Sequence, residues 1–217
     1  MADQILTKGI ASVVELEPVS AAEGLIRVFR LTCKDGVTVE LCSLGASITR
    51  ILLVSAGRPA VDIVLGYDSV KEMYESGNPA YVSVIPGRVA NRIQKGQFRV
   101  DPEGTVYQLE INNEPNHLHG GLEGFSQRIW DAEIVETTAD NPAVRFSLVS
   151  ADGDQGYPGK VRVTAQYTLQ STPSKAASRL CLSMEAELLD NKPSPINLTQ
   201  HSYFNLAGHD DTQGILD

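Results

Sequence analysis

The sequence predicts an all-β fold, an antiparallel sandwich or barrel, and three observations carry that prediction. Apolar and polar residues alternate at a period of two along several stretches, as in strands with one face on a core. Clusters of Gly, Pro, Asp and Ser punctuate those stretches, the composition of tight turns. Helical periodicity is nearly absent. Many strands joined by short turns imply an antiparallel arrangement.

The elements follow in chain order. "LIRVFRLTCKDGVTVELCSLG" reads as two strands around Asp35-Gly36, a strong short hairpin signal. Gly57-Arg58-Pro59 reads as a turn, and "SVKEMYE", residues 69–75, allows at most two helical turns. Residues 86–93, "PGRVANRI", carry no helix signal and lie between strand-like stretches. Asp101-Pro102-Glu103-Gly104 is a further turn, followed by the polar run "NHLHGG" at 116–121. Val144, Phe146 and Leu148 alternate briefly, and Asp152-Gly153-Asp154 and Pro158-Gly159 are turns. In "VRVTAQYTL", Val161, Val163, Ala165, Tyr167 and Leu169 share a face. After a turn at Ser171-Thr172-Pro173, "LCLSMEAEL" does the same with Leu180, Leu182, Met184, Ala186 and Leu188. No repeat, low-complexity tract or interdomain linker interrupts the chain, so residues 1–217 read as one domain.

Composition bounds the function. A chain of 217 residues, 42% of them hydrophobic, is long enough for one sizeable core. A formal charge of −9 repels phosphate backbones and anionic lipid, which excludes nucleic acid and membrane as first choices of partner. No apolar run approaches the roughly 20 residues of a membrane span. The start, "MADQILTKGIAS", has no secretory-signal pattern. Cys33, Cys42 and Cys181 are scattered, without a CxxC pair. They read as reduced strand or core thiols, and the chain as cytoplasmic.

The chemistry gathers around four histidines in two clusters. His117 and His119 lie in "NHLHGG", and His201 and His209 in "NLTQHSYFNLAGHD". Three readings are open to them. As metal ligands, His117 and His119 would point to one face of a strand, with Glu123 as a carboxylate and His201 as a third imidazole. "HLHGGLE" is half of the first cupin motif, but Ile111 and Trp130 stand where that pattern wants glycines. As proton-transfer groups, the imidazoles titrate near neutrality, and the following glycines would let the backbone approach a substrate. As structural groups, they would end strands. Arg88 and Arg92 could bind hydroxyl groups or pair with surface carboxylates.

Four ordered blocks resemble the aldose 1-epimerase (galactose mutarotase) family. They are "VLGYDSVKEMYESGNPAYVSVIPGRVANRIQKGQF", "LEINNEPNHLHGGLEGFSQRIWDAE", "SADGDQGYPGKVRVTAQYTL" and "PINLTQHSYFNLAGH". The resemblance implies an antiparallel β-sandwich of the galactose-mutarotase type. It implies exchange of the α and β anomers of a free hexose, galactose or glucose, with no metal and no cofactor. Position by position, His201 matches the family's general acid at the ring oxygen O5, and His119 the second imidazole beside it. Asn91 and Arg92 match ligands of sugar hydroxyls. His117 matches no assigned role.

The resemblance also implies what is not here. The family's general base is a glutamate far toward the C-terminus, and a sugar-binding aspartate lies well beyond the "HSYFNL" block. Neither has a counterpart before Asp217, so the chain resembles the N-terminal two-thirds of the family's domain. Its strand edges are then expected to be exposed. One reading is an epimerase completed by a C-terminal segment or partner chain. A second is a non-catalytic sugar-binding or scaffold subunit. A third is a short enzyme with a relocated base.

Overall fold

Period-two patterning in the sequence becomes two antiparallel sheets in a computed structural model, which describes residues 11–54, 58–101, 104–135, 140–171 and 178–211. The turns expected at 57–59, 101–104 and 171–173 lie partly outside these residues. The first sheet takes β1 (Ser12–Ala21), β2 (Gly24–Thr32), β3 (Thr38–Cys42), β4 (Ser47–Leu53) and β5 (Val61–Asp62) in chain order. The hairpin at Asp35-Gly36 is present: the Cys33 N–H donates to Val37 O at 2.9 Å, and Phe29 pairs with Leu41.

Short elements follow: β6 (Val64–Leu65), α1 (Val70–Glu75), β7 (Arg92–Ile93), β8 (Gln97–Phe98), β9 (Tyr107–Gln108) and β10 (His117–Leu118). Ser69 caps α1 by accepting the Glu72 N–H at 3.1 Å, the usual role of a hydroxyl at that position. The second sheet is a meander of β11 (Asp131–Val135), β12 (Ala143–Ser150), β13 (Val161–Ser171) and β14 (Ser178–Leu188). Finally β15 (Tyr203–Phe204) pairs with β6.

The sheets face each other. Phe29, Leu31, Val39 and Leu41 of the first and Val144, Phe146, Val163, Ala165 and Tyr167 of the second form one buried cluster. Tyr167 donates its hydroxyl across the gap to Ala46 O at 2.7 Å. A second cluster of Ile26, Val28, Cys42, Leu44, Met73 and Val84 lies on the other side of the first sheet, beneath α1. Both faces of β3 are therefore covered, and all five of its residues are buried, Glu40 included. Cys33, Cys42 and Cys181 are free thiols, the first two buried. Among the described residues no helix is long and apolar enough to cross a membrane.

The expected faces of β13 and β14 behave differently. In β13, Val161, Val163, Ala165, Tyr167 and Leu169 are all buried. In β14, Leu180, Leu182 and Met184 are half-buried, and Ala186 and Leu188 are exposed. β14 pairs with β13 on one side and has no sheet partner on the other among the described residues.

Candidate active site

Three loops are knitted together by backbone hydrogen bonds. The segment 83–90 runs beside 197–201: the Ser83 N–H donates to His201 O, the His201 N–H to Val84 O, the Asn197 N–H to Arg88 O and the Ala90 N–H to Asn197 O. The third loop follows β10, which pairs with β7. Gly120 fixes how closely it approaches. Its φ is +86°, and a Cβ there would lie 1.7 Å from Gly87 O. The glycine after His119 thus serves close contact between two backbones, a use in addition to the approach to a substrate that the sequence suggested. Gly121 is similar, because a Cβ there would meet Gln155 Oε1 at 2.4 Å.

The loops enclose an open cleft of about 690 Å³. Asn91, Arg92, His119 and His201 all line it, with Tyr81, Thr199 and Tyr203. The rings of His119 and His201 are 5.2 Å apart and nearly perpendicular, at 88°. Tyr81 lies 4.5 Å from His119 and 6.4 Å from His201. Tyr203 lies 5.2 Å from His201 and donates its hydroxyl to Ala80 O. No Asp or Glu is among the described residues that line the cleft. Around it, Tyr81, Ser83, Asn91 and His119 all have positive φ, between 51° and 67°. Such conformations are sparsely populated by non-glycine residues and gather at functional sites.

The state of His119 follows from its neighbours. The Asn91 backbone N–H donates to His119 Nδ1 at 2.9 Å, and the His119 N–H donates back to Asn91 O at 3.0 Å. An Nδ1 that accepts cannot carry a proton, so the neutral ring has its hydrogen on Nε2. Burial, then the charges at His201 and Arg92, push the imidazole down to about 4. His119 is a fixed hydrogen-bond donor at neutral pH. Arg92 Nε donates to Asn113 Oδ1 at 2.9 Å and Nη1 to Asn91 Oδ1 at 3.3 Å, so the guanidinium is oriented at the cleft rim.

His117 departs from the strand-face expectation. β10 ends at Leu118, and His119 turns into the left-handed region at φ 51°, which breaks the alternation. His117 is instead buried against Tyr157, with Nδ1 2.7 Å from Glu110 O, while Glu123 is exposed. Among the described residues no three His, Cys, Asp or Glu side chains are grouped to hold a metal. His209 lies away from the cleft, with Nε2 3.1 Å from Asp68, whose carboxylate raises its proton affinity.

Arg88 also departs from both readings offered for it. It is buried, and donates to the carbonyls of Pro158, Gly159 and Ala151 and the hydroxyls of Ser150 and Ser194, at 2.7–3.0 Å. It ties loops together behind the site. Tyr81, Thr199 and Tyr203 are cleft residues that sequence reasoning missed, and nothing in "NPAYVS" marks Tyr81 apart from core tyrosines.

Comparison with known proteins agrees with this architecture. The aldose 1-epimerase family model matches residues 27–217. The galactose mutarotase of Bos taurus is 40% identical over 185 residues, covering 85% of this chain and 49% of that protein. The aldose 1-epimerase of Escherichia coli (strain K12) is 34% identical over 182 residues, 84% of this chain and 48% of that one. A crystal structure of galactose 1-epimerase from Lactobacillus acidophilus superposes with a TM-score of 0.75 at 24% identity, over 91% of this chain and 54% of that one. The chain spans about half the length of the curated relatives it matches, a larger unmatched share than the third its motifs imply. On the length of that match, and with a fold to suit it, the chain belongs to the aldose 1-epimerase family.

Proposed function

We propose that the cleft is the sugar site of an aldose 1-epimerase that interconverts the α and β anomers of a free hexose, galactose or glucose. One observation carries the reading: imidazoles from two loops distant in sequence face the same open cleft 5.2 Å apart, beside Asn91 and Arg92. In the reaction a base takes the O1 proton while an acid protonates O5. The C1–O5 bond breaks as C1=O1 forms, C1–C2 rotates, and the ring closes on the other face. His201 is the acid at O5. His119 donates Nε2–H to a sugar oxygen. Asn91 and Arg92 bind hydroxyls, and the neutral product leaves as readily as the substrate enters.

The base is the open part of the assignment. With no carboxylate among the described lining residues, it comes from a complementing C-terminal segment or partner chain. The edge of β14 that has no sheet partner among the described residues, and its half-buried apolar face, support such a complement, because an open edge is a template for strand addition. The free thiols support a cytoplasmic setting. A lining without a carboxylate among the described residues also favours the second reading, a non-catalytic sugar-binding or scaffold subunit. Polarimetry of freshly dissolved α-D-galactose, paired with galactose titration, separates them. Decay faster than in buffer supports the epimerase. Saturable binding with decay at the buffer rate supports the subunit. Absence of both overturns the sugar site.

A further inference from the structure

Tyr81 is held where it is by its own loop. Buried Asn78 accepts the Val82 N–H at 2.8 Å through Oδ1 and donates through Nδ2 to Val82 O at 3.0 Å. The Tyr67 hydroxyl donates to the same Oδ1 at 3.3 Å, and the Tyr81 N–H donates to Asn78 O at 3.0 Å. Asn78 and Tyr81 both take positive φ, 44° and 55°, so the tip is locked in a conformation that an unrestrained chain leaves. The product is a half-buried phenol ring 4.5 Å from the His119 imidazole at an angle of 57°. Asn91 meets His119 at Nδ1. His119 is left 8% exposed, on the side that faces the cleft.

We propose that Tyr81 is a positioning residue for the sugar site. Its ring packs on His119, holds Nδ1 against the Asn91 N–H and keeps water off the imidazole, so that Nε2–H is presented to the ligand in one orientation. This deepens the sugar-site reading and rests on it only for what His119 presents its hydrogen to. The aromatic ring does the work, not the phenol hydroxyl, since Tyr81 acts through contact with His119. Burial favours the neutral form of both groups.

The test is nitrogen-15 NMR of the histidines across pH 3.5–8 in the wild type, Tyr81→Phe, Tyr81→Leu and Tyr81→Ala, each followed by α-D-galactose titration. Native protein should show a cross-peak between the Tyr81 and His119 rings. Tyr81→Phe should keep the Nε2–H tautomer and the acidic titration. Tyr81→Ala should raise the proton affinity of His119 by about tenfold or more and weaken galactose binding by a similar factor, with Tyr81→Leu in between. A His119 titration unchanged in folded Tyr81→Ala would overturn the proposal. Should that variant not fold, an unchanged Tyr81→Leu titration, or a missing cross-peak in the native protein, overturns it instead. Failure of the native protein to bind galactose would count against the sugar site alone, because the titration does not need sugar.

Discussion

Acid should unfold this protein partly through His119. Its folded-state imidazole lies at about 4, against about 6.5 in the unfolded chain. The folded value is depressed, so the unfolded state takes the proton first. The contribution is intact above pH 6.5, shrinks as pH falls, and is fully lost near pH 4. Linkage at these two values gives a loss of about 2.5 kcal/mol between pH 8 and pH 4.5, with a slope no steeper than about 1.4 kcal/mol per pH unit. Because the ring borders an open cleft, this is an upper figure. The perturbation is His119→Gln, which keeps a group able to accept the Asn91 N–H but does not titrate. Urea unfolding at pH 8, 6 and 4.5 should show the wild type losing about 2 kcal/mol more than the variant. Buried His117 is also pushed down and pulls the same way, but it is present in both proteins and cancels in the difference. Parallel stability curves would refute the account of His119 as a ring kept neutral.

Three more expectations follow from packing and chemistry. Arg88→Met should cost at least about 3 kcal/mol in denaturant unfolding, since three carbonyls and two hydroxyls lose their donor; a cost under about 1 kcal/mol would show the clamp to be unimportant. Gly120→Ala should be worse still, because a Cβ 1.7 Å from Gly87 O forces two loops apart at a positive φ, and the His119 resonances should move even where the variant folds. In any preparation that accelerates mutarotation, His201→Ala should lower kcat by about 10²- to 10⁴-fold with an unchanged circular dichroism spectrum, and near-full activity would remove His201 as the acid.

The strands were legible because alternation reports burial on one face. β13 is the clear case, and Asp35-Gly36 marked the β2–β3 hairpin without tertiary information. β14 shows the limit, for the same alternation marks a face that the described residues only half cover. Candidate site residues were legible through residue type and motif, and the cleft gathers all four. The difference between Arg88 and Arg92 was not, since both sit in one short polar segment and only the path of the chain buries one. The separation of His117 from His119 was hidden for a similar reason. It depends on one residue leaving β geometry at φ 51°, and histidine carries no strong signal for that. Tyr81 reaches the cleft through the Asn78 lock, which joins side chain to backbone and has no periodicity to read.

The two imidazoles of the cleft are chemically unequal, and that inequality bears on the proposed anomer exchange. His119 gives its Nδ1 to a backbone N–H, so it can donate a hydrogen bond but cannot take up a second proton without breaking that contact. Anomer exchange moves one proton from O1 and one to O5, two oxygens on the same carbon. The nitrogens of a single imidazole point away from each other, so His201 cannot serve both oxygens in one step. Nor can His119 relay the proton, since it has no free acceptor. For the proposed exchange a group outside the described lining would take the O1 proton, because the other polar side chains there are hydroxyls, the amides of Asn91 and Asn197 and the Arg92 guanidinium. A carboxylate fits that need, being ionised at neutral pH and basic enough to share the proton.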